Sequence, residues 1–357
     1  MALVAPAAAR TVATPLAQAV QRPAGPRRTS RPETPGTAST AGRLLPGLAL
    51  AAPLLRGFSR ATPAGCRSAQ AASRLARCAS GKIETFLVRG PVNESTLALA
   101  SAPLAAHIDL SCLVFFCLGT KPETVASVAG GALGLHGMCP VYIADCYGII
   151  GWDKKEKRNV ELMEEGRGSE YGKPGGQGGE GVVVAAFRGG GHAAGDAGGV
   201  HMVVSSHGKA KLQAAKDGEG VSYGGYAKAC YKLEHSGDLV PVDEFVVSSS
   251  VPSAVTSFDG DNAAEMAKAT AAAVGSPATA AGYFPCFCRG YNKYEENDVE
   301  PKAFEGDGGL AGVPLFGMFA HGELGPAMAA TVAASAEEVP KPSHDIHSMT
   351  SVLAVYS

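Results

Sequence analysis

The chain has 357 residues, 46% of them hydrophobic, which is enough apolar material for two domains or one large body and excludes an extended disordered protein. The formal net charge of −2 hides an asymmetry. Residues 1–80 hold eleven Arg, no Lys and one acidic residue, Glu33, so the rest of the chain carries about −12, and an acidic body without a Lys/Arg stripe excludes a nucleic-acid-binding surface.

Residues 1–80 are rich in Arg, Ala, Ser, Thr and Pro and almost free of carboxylates, the composition of an organelle transit peptide, with a disordered tail as the alternative. A presequence implies a mitochondrion or a plastid, and its absence a cytoplasmic protein. N-terminal sequencing from the native cell is expected to find a start between Ala61 and Ile83; a cytosolic protein starting at Met1 or Ala2 would overturn the presequence. Leu44–Leu55 is broken by Pro46 and Pro53 and is too short to span a bilayer, which needs roughly twenty apolar residues. No membrane span is expected elsewhere.

In the body, strands and helices alternate. Leu110–Leu118 reads as a buried strand, Lys121–Leu135 as a helix despite Gly130–Gly131, and Val141–Ala144 as a strand ending in the turn DCYGIIG. Glu161–Gly181 is glycine-rich and reads as a loop, Val182–Phe187 as a strand, and Gly189–Gly199 as an insertion. His201–Ser206 reads as a strand leading into a charged helical stretch near Lys209–Lys216. Tyr226–Val247 and Val251–Phe258 read as strands and turns. Ala263–Val274 is a helix by its Ala, Met and Lys content. A strand then ends at Cys286 and Cys288 with Arg289–Gly290 following, and Val313–Ala320 is a second apolar strand running into Gly322-Glu323-Leu324-Gly325.

These last segments carry a resemblance. Cys-x-x-Arg-Gly at Cys286–Gly290, the element Glu300, Ala303, Phe304, then Val-Pro-Leu-Phe-Gly-x-Phe and Gly-Glu-Leu-Gly resemble the C-terminal half of a FIST domain, closest to the FIST module of F-box proteins that carry one. The closing His347-Ser348-Met349-Thr350-Ser351 is similar to that family's His-Ser-x-Thr tail. Leu110–Leu118, Pro140–Gly151 and Val182–Phe187 resemble the N-terminal FIST half, with Asp145 in place of the glycine before Cys146. The resemblance implies an α/β (mixed α+β) protein of two related sheet-plus-helix halves in one bilobal FIST body, a FIST N-like half over 82–219 and a FIST C-like half over 220–357. It also implies a sensory module of signal transduction that binds a small amino-acid-like ligand.

Several chemistries lack their signatures. Neither GGALGLHG nor GKPGGQGGEG has the spacing of a phosphate-binding loop, and no serine nucleophile elbow occurs. Cys286-x-Cys288 has no second pair nearby, and His344-x-x-His347 has only Asp345 beside it, so neither a metal nor a cofactor is expected; His347 reads as a hydrogen-bonded structural residue. The seven cysteines after residue 80 form no disulfide framework and should be reduced, with Cys112 and Cys117 in the core and Cys286 the accessible one.

The candidate ligand-binding residues are Arg289, Glu323, Cys286, Cys146 and His321. A guanidinium clamps a carboxylate with two parallel hydrogen bonds and a carboxylate receives an ammonium, so Arg289 and Glu323 suit a small zwitterion; the competing account is an Arg289–Glu323 ion pair that fixes the turn. Cys286 and Cys146 sit at strand ends, where Arg289 or His321 would lower the Cys286 pKa if it were a nucleophile; otherwise these are packed thiols. The expected function is therefore small-ligand sensing without catalysis, acting in signalling or in recognition of a protein partner. The alternatives are substrate recognition in ubiquitin-dependent degradation, although residues 1–80 contain no recognisable F-box, and a thiol-dependent enzyme.

Overall fold

The computed structural model describes residues 82–107, 109–164, 179–189, 200–207, 221–249, 253–259, 261–328, 330–333 and 345–357. The presequence expected over 1–80, the helical stretch near Lys209–Lys216, the boundary near Gly220 and all but the first residue of the insertion at Gly189–Gly199 lie outside the described residues.

The protein is mixed α/β. The strands are β1 (Lys82–Arg89), β2 (Leu110–Leu118), β3 (Val141–Asp145), β4 (Gly148–Asp153), β5 (Arg158–Met163), β6 (Gly181–Arg188), β7 (Val200–Ser206), β8 (Val221–Ala227), β9 (Ala229–Leu233), β10 (Leu239–Val242), β11 (Glu244–Ser249), β12 (Ser253–Phe258), β13 (Ala280–Pro285), β14 (Leu315–Met318), β15 (Glu323–Gly325), β16 (Thr331–Ala333), β17 (Asp345–His347) and β18 (Ser351–Tyr356). The α-helices are α1 (Glu94–Ala105), α2 (Pro122–Ser127), α3 (Ala263–Val274), α4 (Tyr291–Tyr294) and α5 (Val299–Glu305).

Local chemistry explains most boundaries. Asn93 starts α1 through a reciprocal capping box with Thr96, and α3 stops where Gly275 takes a left-handed conformation. Three expectations need correction. Lys121–Leu135 is not one α-helix: α2 ends at Ser127, Val128–Ala132 widens into a π-turn that holds Gly130 and Gly131, and Leu135 begins a 3₁₀ turn, as the low helix propensity of paired glycines allows. Glu161 belongs to no loop; it lies in β5, 2% exposed. The strand expected over Val313–Ala320 is shorter, β14 covering Leu315–Met318, although its pairing runs on in register, with Phe319 donating to the Gly148 carbonyl and Ala320 bridging Cys286.

Three mixed sheets result, ordered β1-β6-β2-β3-β9-β10, β16-β12-β18-β13-β14-β4-β5 and β11-β7-β8-β15-β17. The first two repeat one topology. In the first, β1, α1, β2, α2 and β3 follow in sequence, β2 and β3 pair in parallel, and β6 returns antiparallel between β1 and β2. In the second, β12, α3, β13, α5 and β14 follow in the same order, β13 and β14 pair in parallel, and β18 returns antiparallel between β12 and β13. The hairpin after β3 crosses over: β4 pairs with β14, so the second sheet is completed by the first repeat.

Strand alternation divides the core into three clusters. Cys112, Val114 and Phe116 of β2 join Phe284 of β13 and Val352 and Tyr356 of β18 in one cluster. Leu113, Phe115 and Cys117 face the other way and pack with Leu97 and Leu104 of α1. Tyr283 and Leu353 pack with Met266 of α3 and Phe304 of α5. Each such fully buried side chain contributes about 1.5–3 kcal/mol.

Candidate functional site: a charged cleft and a buried polar cluster

The parallel strands β2 and β3 end side by side, joined by the Cys146 N–H donating to the Cys117 carbonyl at 2.9 Å. Beyond them opens a cleft of about 440 Å³, lined among others by Thr120, Lys121, Asp145, Glu164, Glu180 and Lys228. Gly119 shapes one wall. Its φ of +69° suits glycine, and a Cβ there would come within 2.6 Å of Glu180 Cγ, so the missing side chain lets Glu180 lie across the backbone. Lys228 is fixed at the bend between β8 and β9 by its N–H to the Asp145 carbonyl at 2.8 Å. Its ammonium donates to Glu164 Oε1 at 3.0 Å, lies 3.9 Å from Asp145 Oδ1, and sits 5.5 Å over the Tyr147 ring.

Two features of this cleft are unsatisfied. Thr120 is 6% exposed and its hydroxyl has no hydrogen-bond partner. Asp145 has its carboxyl raised above the ordinary range, first by burial and further by Glu164, with Lys228 only partly opposing. Open concavities with a few convergent polar groups are where small molecules bind.

The second constellation is buried. Arg289, 2% exposed, donates through Nε to Glu300 Oε1 at 2.8 Å and closely through Nη2 to the same oxygen, with further bonds to the Met349 carbonyl (3.2 Å) and the Tyr294 hydroxyl (3.1 Å). Tyr294 and Ser351 donate to Glu300 Oε1 and Oε2 at 2.7 and 3.0 Å. Burial, then Glu161, pushes the Glu300 carboxyl up. Glu161 exchanges hydrogen bonds with Asp298, whose N–H donates to Glu161 Oε2 (3.0 Å) while the Glu161 N–H donates to Asp298 Oδ1 (2.7 Å). Burial, then Asp298, raises the Glu161 carboxyl to about 8. The turn into this cluster needs Gly290: φ is +57°, and a Cβ would approach Phe319 Cζ to 2.8 Å.

The five residues singled out in the sequence are placed as follows. Arg289 and Glu323 do not form an open polar mouth, since Glu323 is fully buried and the ion pair of Arg289 is with Glu300. Glu323 opens β15 and accepts from the Thr350 hydroxyl and N–H at 2.8 and 3.3 Å, while its Oε1 has no hydrogen-bond partner. Burial raises its carboxyl to about 7, with Thr350 and the Cys286 thiol opposing. Cys286 is 3% exposed, bridges Ala320, and has its thiol pushed up to about 12 by burial and then by Glu323, so it is not the accessible cysteine and lacks an activating cation. Cys146 is fully buried, donating to the Ala144 carbonyl at 3.3 Å beside Met318. His321 is half-buried, stacked on Phe287 at 4.8 Å and meeting the His207 ring edge-on at 4.1 Å. His347 accepts its structural role by bonding the Pro326 carbonyl at 3.0 Å.

The tail brings part of this set together. Met349, Thr350 and Ser351 in succession bind Arg289, Glu323 and Glu300, and the Cys286 N–H donates to the Thr350 carbonyl at 2.8 Å. Met349 holds a φ of +63°, uncommon for a residue with a side chain. Glu300, Thr350, Thr120, Lys228 and Glu180 were not among the candidate site residues read from the sequence. Of the seven described cysteines, Cys288 alone is not buried, so mild alkylation of native protein followed by mass spectrometry should modify Cys288 before the other six. Prior labelling of Cys286 would contradict its packing.

No protein-family model matches the chain, and a search of curated proteins finds no match. Among the described residues no helix is long and apolar enough to cross a membrane, and no group of three or more His, Cys, Asp or Glu side chains is placed to hold a metal ion.

Proposed function

We propose that this protein is a small-ligand-binding module of the sensory kind that the FIST resemblance implies, taking an amino-acid-like molecule in the cleft at the ends of β2 and β3. The observation that carries this reading is the cleft itself, open, about 440 Å³, and lined by groups of both charge signs beside a buried hydroxyl with no partner. Lys121 makes no ion pair among the described residues and can receive a carboxylate, while Asp145 and Glu180 can receive an ammonium. The ligand site moves from Arg289 and Glu323 to this cleft because the former are buried and bound to the chain's own tail.

Thr120→Val tests it in the full-length chain. The substitution removes a buried hydroxyl that lacks a partner, so the melting temperature should hold or rise. Affinity for an amino acid, found by thermal shift across a panel and measured by calorimetric titration, should fall about tenfold, the loss of one hydrogen bond. A variant of unchanged stability that binds as well as the parent would overturn the cleft as the site.

A further inference from the structure

Residues 290–298 run between the two members of the buried ion pair, leaving the sheet just after Arg289 and returning just before Glu300. Three of them are left-handed: Gly290, Glu295 and Asp298 have φ of +57°, +57° and +62°. Such backbone is uncommon at residues with side chains and persists where the surroundings hold it, often in switch regions. The segment is tied to the ion pair through Tyr294, whose hydroxyl donates to Glu300 Oε1 at 2.7 Å. Its far end is tied to β5. The Asp298 N–H donates to Glu161 Oε2 at 3.0 Å, the Glu161 N–H donates to Asp298 Oδ1 at 2.7 Å, and Arg158 Nη1 donates to Asp298 Oδ2 at 2.5 Å.

The two carboxyl groups of this tie, Glu161 and Asp298, are 2% and 3% exposed. Neighbouring buried carboxylates resist ionising together, and Asp298 is the one with a cation, Arg158. The proton therefore stays on Glu161. Its Oε2 is taken up by the Asp298 N–H and its buried Oε1 has no hydrogen-bond partner, which places the proton on Oε1. The other charges around Glu161 are committed elsewhere: Arg289 bonds Glu300 and the Met349 carbonyl, Lys302 bonds Glu296 at 2.6 Å and the Asn297 carbonyl at 3.3 Å, and Glu305 accepts from Asn159. We propose that this proton is a latch: while Glu161 holds it, the tie to Asp298 keeps residues 290–298 closed, and its loss releases Asp298 and lets the segment open with the three sheets intact. Ionised Glu161 faces the carboxylates of Asp298 and Glu300 and leaves a charged oxygen buried without a partner, which water entry relieves. Tyr294 moves with the segment, so opening also strips one hydrogen bond from Glu300. Burial, then Asp298, raises the Glu161 carboxyl to about 8, so the latch is closed in acid and at neutrality and opens as pH rises through that value.

The latch does not depend on the cleft at β2 and β3, and its test needs no ligand. Amide hydrogen exchange read by mass spectrometry on the full-length chain, at about pH 6.5 and about pH 9 with labelling times scaled for the faster intrinsic exchange in base, follows local opening directly. Peptides spanning residues 290–298 should exchange about tenfold faster, after scaling, at the higher pH, while those spanning β2 and β6 keep their protection. Glu161→Gln removes the ionisation and should hold the segment closed at both values. Asp298→Asn removes the facing carboxylate, keeps a residue type that tolerates a left-handed backbone, and should flatten the pH dependence where Glu161→Gln fails to fold. Equal scaled exchange of residues 290–298 at the two pH values would overturn the latch. So would loss of protection in β2 and β6 together with the segment, which is global unfolding. Opening of both variants in base as readily as the parent would assign the titration to another group and overturn it as well.

Discussion

Arg289→Met is expected to lower unfolding free energy by about 3–5 kcal/mol, the typical cost of removing one partner from a buried ion pair. Glu300 would be left 1% exposed with its carboxylate facing no cation, held by the Tyr294 and Ser351 hydroxyls alone. Denaturant melts measure the loss. Adding Glu300→Gln to Arg289→Met should recover part of it, since residues in contact couple by roughly 0.5–3 kcal/mol. Adding Glu323→Gln instead should recover less, because Glu323 binds Thr350 and not the guanidinium. A loss below about 1 kcal/mol for Arg289→Met, the worth of an exposed pair, would contradict the buried pairing.

Glu161→Gln is expected to act increasingly as pH rises above about 4.5, and in the stabilising direction. The Glu161 carboxyl is raised by burial from its ordinary 4.5 to about 8, so across that window the folded protein holds a proton that the unfolded chain releases. Stability therefore falls as pH rises from about 4.5 to 8 and levels off above, a loss on the order of 5 kcal/mol from this group. Glutamine keeps the shape and removes the titration. Melting curves at pH 5 should match the parent, and those at pH 8.5 should lie above it. Glu323, raised to about 7, has the same sign over the lower part of the window and remains in the variant, leaving a residual slope. An unchanged pH profile would show that Glu161 is ionised in the fold.

The legibility of the fold followed the range of the interactions. Leu110–Leu118 and Ala263–Val274 were readable to the residue because a buried apolar run and an Ala-rich helix ending in glycine are written in consecutive positions. Glu161 was misplaced because the glycine-rich stretch after it colours the composition of the whole segment, whereas its strand is fixed by pairing with β4 and by Asp298, far along the chain. Arg289 and Glu323 stood out in the sequence, but their partners did not: Glu300 comes from a helix, and Met349 and Thr350 from the tail. The cleft was hidden for the same reason. Thr120, Asp145, Glu180 and Lys228 come from four separate stretches, and only strand order makes them neighbours.

The place of β18 has a consequence for how the chain is made. In the first repeat the strand that fills the gap between β1 and β2 is β6, which leaves the ribosome before the second repeat has begun. In the second repeat the gap between β12 and β13 is filled by Ser351–Tyr356, whose every residue is buried or nearly so. Until those six residues emerge, β12 and β13 have no common partner, and each offers an unpaired apolar edge of the kind that recruits strands from other chains. A nascent chain halted anywhere between Pro285 and Ser351 is thus a complete first repeat joined to an adhesive half-sheet, and it is in that interval that synthesis would most depend on a chaperone.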